Sequence, residues 1–287
     1  MARMRTRLTN HTNTANSDSH EGRSIMTELA AVNGGTAARP KPSVSLVIPV
    51  RNEGRNIAWV LEQIADDVDE IILVDGESTD STLITARTYR PDIRVVQQEG
   101  PGKGSALRTG FLAAESDLIV MMDADGSMAP QEIRHYIHFL SNGYDFVKGS
   151  RFVGGGGSLD ITPFRRLGNR FLLLVFNSVY DADLTDLCYG FCAFNRRYLE
   201  LLELSATGFE IEAEMTVRAM QAGLRIAEVP SLELPRRYGK SNLRAIRDGI
   251  RVLRTVLKGH RSGRVLEAIA SRGTRTTAPV LVTGPAR

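Results

Sequence analysis

Two aspartates separated by one residue, Asp123 and Asp125, end an apolar run that begins at Leu118 in LIVMMDAD. A buried parallel strand reads as such a continuous apolar run, and ligands of open α/β sheets gather where these strands end. Carboxylates at i and i+2 can point to the same side. They then offer hard oxygen ligands to Mg²⁺ or Mn²⁺, whose remaining positions are filled by substrate phosphates and water. Such a pair suits the grip on a nucleoside diphosphate; in a surface turn it would do nothing, so its place after a strand carries the reading.

Other candidates follow strand-like runs in the same way. Pro49, Asn52 and Glu53 stand in IPVRNEGRNI, and Asp75 in LVDGESTDST. Base edges and ribose hydroxyls need carboxylate or amide acceptors on rigid strand ends, which fits Glu53 and Asp75. The competing reading is helix capping by Asn52 or Thr79. GPGKGSA at 100–106 fails both phosphate-loop patterns. Gln97 and Gly104 replace the glycine and the Ser or Thr of a Walker A motif, while Ser105 and Leu107 stand where the dinucleotide fingerprint has its third glycine. What remains is a glycine turn with Lys103 at a helix N-terminus, suited to an anion or to a tight turn alone. Cys188 and Cys192, the only cysteines, lack a second pair or a nearby histidine and are expected to be reduced, packed thiols.

The elements that must hold these residues alternate. Strand-like runs fall at 44–50, 70–74, 93–97, 118–122 and 145–148, with helical patterns at 55–64, 79–89 and 105–114. This is βαβ spacing and predicts a mostly parallel sheet. Beyond Ser150 the pattern loosens into a glycine run, a helix near 166–179, a strand at 190–194, a helix at 211–222, a strand at 225–229 and a basic helix. With 287 residues, 42% of them hydrophobic, the middle of the chain can bury one large core. Residues 1–42 and 265–287 are polar, Gly/Pro-rich and aperiodic, and are expected to be disordered tails; Met26 could serve as the start. Arg3, Arg5 and Arg7 precede no apolar stretch, so no secretory signal is expected and the chain is read as cytoplasmic.

Taken in order, IPVRNEGRNI, VDGESTDST, GPGKGSALRTGF, MDADGS, VKGSRF, RLGNRF, LTDLCYGFCAF, GFEIEAE and PRRYGKSNL resemble successive blocks of family 2 glycosyltransferases. The likeness is to the branch containing dolichol-phosphate mannosyltransferases and other polyprenyl-phosphate glycosyltransferases. It implies an α/β, Rossmann-like GT-A fold over 43–241, with a nucleotide-sugar half (43–150) and an acceptor half (151–241). It implies a metal bound by Asp123 and Asp125, and a nucleotide sugar met by Pro49, Asp75, Asp123 and Arg237, to which the residue types above add Glu53 and Lys103. It further implies a polyprenyl-phosphate acceptor met by Arg151 and Arg166, and inversion at the sugar carbon. Gly76 with Glu77, Ser127 and Asn242 depart from that branch and leave the donor open between GDP-mannose and UDP-glucose.

A phosphate monoester is mostly dianionic at neutral pH and attacks without a base. A hydroxyl acceptor would need one, and Asp186 is then the best-placed carboxylate, completing a catalytic set of Asp125, Arg151 and Asp186. The basic helix at 242–264 carries Leu243, Ile246, Ile250, Leu253 and Leu257 in one stripe and Arg244, Arg247, Arg251, Arg254, Lys258 and Arg261 in another. From Arg236 to Arg264 there are ten Lys/Arg and one acid, Asp248. An amphipathic helix on the anionic inner face of a membrane has this pattern; packing of the leucines on the domain is the plain alternative. Nucleic acid is not expected, since no binding motif accompanies a net charge of only +3. A non-catalytic binding module and a soluble glycosyltransferase acting on a hydroxyl are the rival functions.

Overall fold

Apolar runs flanked by turn residues begin the fold: β1 (Val44–Val50), α1 (Ile57–Glu62), β2 (Glu70–Asp75), α2 (Thr82–Tyr89), β3 (Arg94–Gln97), α3 (Lys103–Ala113) and β4 (Leu118–Met121). The computed structural model describes residues 41–270 and 280–281, with side chains described to residue 260. Next come α4 (Ile133–Ser141), β5 (Phe146–Ser150), β6 (Gly157–Ser158), α5 (Pro163–Tyr180), β7 (Cys192–Asn195) and α6 (Leu199–Leu202). The chain continues through α7 (Ile211–Gln221), β8 (Ile226–Pro230), β9 (Leu232–Glu233), α8 (Ala245–Ala270) and β10 (Val280–Leu281).

Eight strands form one sheet in the order β10-β8-β5-β7-β4-β1-β2-β3, and β6 pairs with β9 separately. All neighbours in the large sheet are parallel except β7, which runs antiparallel to both β4 and β5. Residues of β1 and β4 are buried on both faces, which is why these strands read as continuous apolar runs and not as alternation. One core cluster includes Val47, Phe111, Met121 and Phe194; the other includes Leu46, Val120, Tyr136 and Phe191.

Three expectations need correction. α4 was not anticipated, although Ile133, Tyr136, Ile137 and Leu140 at helical spacing are its buried stripe. Neither Asn52 nor Thr79 caps a helix. Asn52, at φ 58°, accepts a hydrogen bond from Thr79 N at 2.8 Å and staples one strand-end loop to the next, while Asp80 accepts from Thr82 N at 3.0 Å at the start of α2. α8 begins at Ala245 and continues to Ala270, into the stretch expected to be a tail. Its buried face is Asp248, Val252 and Val256, packed on α5 and α7, whereas Ile246, Ile250 and Leu257 of the anticipated stripe are exposed. Asp248 accepts from Arg244 N at 2.7 Å and so closes the helix N-terminus. The expectations for 1–40, for the side chain of Arg261 and for most of 271–287 lie outside the described residues.

Candidate active site

Asp123 follows β4 and meets Lys103, the first residue of α3, with Oδ1 2.6 Å from Nζ. The same Nζ is 2.9 Å from Glu212 Oε1 on α7. Burial alone would lower the Lys103 ammonium, but attraction to Asp123 and Glu212 outweighs it and holds the group well above its ordinary range. Burial pushes the Asp123 carboxyl up; Lys103 pulls it down, and the neighbouring Asp125 and Glu212 charges add to the rise. Asp125 is anchored separately. Its Oδ1 accepts from Ser127 N at 2.9 Å, and its Oδ2 lies 2.8 Å from Arg236 Nη2, whose Nη1 is 2.9 Å from Glu53 Oε1. Two chains of alternating charge, Glu212–Lys103–Asp123 and Glu53–Arg236–Asp125, therefore converge on the two aspartates.

The glycines of 100–106 are explained by close approach. A Cβ on Gly102 would stand 2.3 Å from Thr207 O, and one on Gly104 2.5 Å from Ala206 O. Gly104 N and Ser105 N both donate to Thr207 O, at 3.0 and 3.4 Å. The first amides of α3 are thus capped by protein, and the segment works as a tight turn that delivers Lys103 to Asp123, not as a phosphate loop.

The donor set suits a divalent cation. Two carboxylates carry hard oxygens, and each already attracts a positive group, Lys103 or Arg236. Among the described residues no three His, Cys, Asp or Glu side chains gather as a metal cage. A cation held here would draw its other ligands from phosphates and water, the habit of Mg²⁺ and its relatives.

The remaining candidates divide. Pro49 and Glu53 line the same cleft as Asp123 and Asp125. Asp75 is buried, and its carboxylate accepts from Ser78 N at 3.1 Å, tying its own loop. Arg237 was the expected basic partner, yet its guanidinium lies over the Trp59 ring at 4.6 Å. Its neighbour Arg236 makes the contact with Asp125. Arg166 is exposed and sits over Phe152 at 5.8 Å, while Arg165 lines the cleft.

Arg151 and Asp186 form a closed unit. Arg151 is 4% exposed and makes five side-chain hydrogen bonds: from Nε to Asp186 Oδ2 at 2.7 Å, from Nη2 to Asp186 Oδ1 and Cys188 O at 3.0 Å each, and from Nη1 to both Glu233 oxygens at 3.2 Å. A guanidinium has five N–H groups, so this fork is occupied by protein. Asp186 is fully buried, and it also accepts from Arg151 N and Cys188 N. A carboxylate held in this way cannot reach an acceptor hydroxyl, so its expected role as a base is withdrawn. Glu228 supports the unit from below, accepting from Thr185 N at 2.8 Å and Asp186 N at 3.1 Å. Glu212, Arg236, Glu233 and Glu228 were not singled out in the sequence. Glu212 and Arg236 did lie within motif blocks, but spacing alone does not say which acid of EIEAE or which arginine of PRRYG turns inward.

A cleft of about 630 Å³ joins these groups to an apolar region. Its lining includes Lys103, Asp123 and Asp125 together with Phe164, Phe171 and Leu172 of α5 and Ile246, Ile250 and Leu253 of α8.

The sequence model of Glycosyl transferase family 2 matches residues 45–202. Glycosyltransferase AglJ of Haloferax volcanii is 33% identical over 214 residues, covering 73% of this chain and 70% of that protein. Dolichol-phosphate mannosyltransferase of Pyrococcus furiosus is 30% identical over 210 residues, covering 70% of this chain and 59% of the relative. Polyprenol monophosphomannose synthase of Mycolicibacterium smegmatis is 30% identical over 237 residues, covering 75% and 86%. Among solved structures, glucosyl-3-phosphoglycerate synthase from Mycobacterium tuberculosis in complex with Mn²⁺, UDP and glucosyl-3-phosphoglycerate aligns with a TM-score of 0.61 at 25% identity, covering 88% of this chain and 87% of that one.

Proposed function

The chain belongs to glycosyl transferase family 2, and from that premise we propose that it moves a hexose from a nucleotide sugar to a polyprenyl phosphate, with inversion at the sugar carbon. The observation that carries this reading is the cleft, whose lining combines the paired aspartates, fit for a diphosphate, with apolar side chains of α5 and α8, fit for an isoprenoid chain. A phosphoglycerate-sized acceptor has no use for that apolar lining.

The outer surface supports the same acceptor. α5 exposes Phe164, Leu167, Phe171 and Leu174, each more than half accessible, and α8 exposes Ile246 and Ile250, which also line the cleft. Arg166 and Arg170 on α5 and Arg247 and Arg254 on α8 are exposed, as is Arg244 just before α8. Apolar side chains among arginines are the dress of a helix lying in an anionic membrane interface. No helix among the described residues is long and apolar enough to cross a membrane, so contact of this kind would be peripheral, on the cytoplasmic leaflet where the anionic lipids lie.

Asp123 and Asp125 would hold Mg²⁺ or Mn²⁺, which when bound would neutralise charge building on the departing diphosphate. Lys103 and Glu212 fix Asp123, and Arg236 with Glu53 fixes Asp125, so both carboxylates wait in place. Pro49 near the end of β1 and Glu53 in the loop after it line the cleft beside them. The acceptor phosphate, already ionised, attacks the sugar carbon with no proton to remove. The burial of Asp186 against Arg151 fits that economy, because the best candidate base serves a structural ion pair.

Incubation with labelled GDP-mannose or UDP-glucose, Mn²⁺ and a polyprenyl phosphate tests the reading. Label should enter the butanol-extractable lipid. Label found only on 3-phosphoglycerate, supplied in parallel, would replace the lipid acceptor with a soluble one.

A further inference from the structure

Arg244, Arg247, Arg251 and Arg254 follow one another at spacings of three, four and three, which places them on one side of α8 and its lead-in. All four line a groove that is separate from the catalytic cleft, and no acid stands among the described residues that line it. Of the four, Arg251 alone pairs with an acid among the described residues. Its Nη2 lies 3.0 Å from Glu210 Oε1 and donates to Thr207 Oγ1 at 3.2 Å. Thr207 O in turn accepts from Gly104 N and Ser105 N, so the groove is tied to the turn that carries Lys103. The side chains of Arg244, Arg247 and Arg254 are exposed. Like charges three and four residues apart work against a helix, and an anion from outside the chain offsets them.

The apolar part of the lining decides which anion. Phe164, Ile246 and Ile250 are exposed beside the arginines in the same groove. A nucleic-acid backbone would set charged phosphates against these side chains. A phospholipid brings its phosphate to the arginines and its acyl chain to the apolar residues. The same three residues also line the catalytic cleft, so a lipid surface seated on the groove meets the cleft through shared apolar lining.

We infer that this groove is a binding site for the phosphate headgroups of anionic phospholipids, distinct from the cleft where sugar is transferred, and that Arg244, Arg247 and Arg254 make the chain select a charged leaflet over a zwitterionic one. This names the partner of the peripheral membrane contact read above and rests on that reading. The apolar face of α5 adheres to a bilayer of either kind; the arginine groove supplies the choice between them.

The experiment is co-sedimentation of the full chain with vesicles of phosphatidylcholine alone and of phosphatidylcholine mixed with phosphatidylglycerol, at fixed salt. Arg247→Gln with Arg254→Gln removes two exposed cations that do not line the cleft. Each arginine lost should weaken binding to the mixed vesicles about fivefold, and the pair about twentyfold or more. Melting temperature, weak binding to phosphatidylcholine and transfer to farnesyl phosphate without vesicles should stay at wild-type values. Equal binding of both vesicle types by the wild type, or undiminished binding by the double variant, overturns the site. So does an equal loss in Arg87→Gln with Arg134→Gln, which removes the same charge from exposed arginines of α2 and α4 outside both groove and cleft. Release from the mixed vesicles by glycerol 3-phosphate at the same ionic strength would assign the groove to a free phosphate, and release by an oligonucleotide would assign it to nucleic acid; either overturns the lipid. A wild-type chain that selects the mixed vesicles but transfers no sugar to farnesyl phosphate supports the groove and overturns the lipid acceptor alone.

Discussion

Glu212 never touches Asp125, yet it governs how tightly Lys103 holds Asp123. In Glu212→Gln the ammonium loses one of its two anions and leans wholly on Asp123, competing with a metal ion for the same oxygen. Mn²⁺ affinity in the presence of a nucleoside diphosphate should fall about tenfold, read by titration, with little change in melting temperature. Arg151→Lys should behave differently. Lysine cannot reproduce the bonds to Asp186, Glu233 and Cys188, and breaking a buried pair costs about 3–5 kcal/mol, so a large drop in melting temperature should precede any selective acceptor defect. Glu228 supplies a pH signature. Burial pushes its carboxyl up to about 7 from 4.5, against the pull of hydrogen bonds from Thr185 and Asp186. Between these values the unfolded chain has released a proton that the folded chain keeps, so stability falls as pH rises through the window. Glu228→Gln removes the effect, worth about 3 kcal/mol at most. Its melting temperature should therefore gain on wild type between pH 5 and pH 8; an equal gap at both would refute the assignment. Asp123, Asp125 and Glu53 were legible because they end strands. Arg236 was not, since the choice between adjacent arginines depends on the path of the chain after β9.

At the scale of elements, strands were read more reliably than helix faces. A central parallel strand such as β1 or β4 is apolar throughout, so neither face has to be chosen. On α8, Leu243, Ile246, Ile250, Leu253 and Leu257 make a stripe by spacing, but the buried face is Asp248, Val252 and Val256. Both stripes satisfy a period near 3.6, and only the partners α5 and α7 decide between them. Gly259 records that contact, since a Cβ there would come within 2.4 Å of Val217. The exposed stripe is then available for a membrane, together with that of α5. Leu167→Asp with Phe171→Asp should abolish sedimentation with anionic vesicles while leaving the melting temperature within a degree or two, because both side chains are already in solvent. Loss of folding in that variant would show that this face of α5, and not only Leu172 and Phe176, is packed in the core. The glycine turn before α3 makes a separate demand: Gly104→Ala drives a Cβ toward Ala206 O and should cost about 1–3 kcal/mol.

For the whole molecule, the sequence pattern predicts a parallel sheet but not its order. The insertion of β7 between β4 and β5 joins the nucleotide-side strands to β5 and β8, and no local pattern encodes it, because CAFN reads like any short apolar strand. That insertion matters for function. It carries the Cys188–Cys192 segment past Lys103 and Glu212, so the paired aspartates and the apolar walls of α5 and α8 share one cleft. On this reading the cleft accommodates both a nucleotide sugar and a lipid phosphate. The measurement that tests it most directly is kcat/KM for a long polyprenyl phosphate against 3-phosphoglycerate, with the same donor and Mn²⁺, before and after chelation. A preference of about a hundredfold or more for the lipid, and loss of transfer on chelation, are the expected results. A preference for 3-phosphoglycerate, or transfer to lipid that survives chelation, would contradict it.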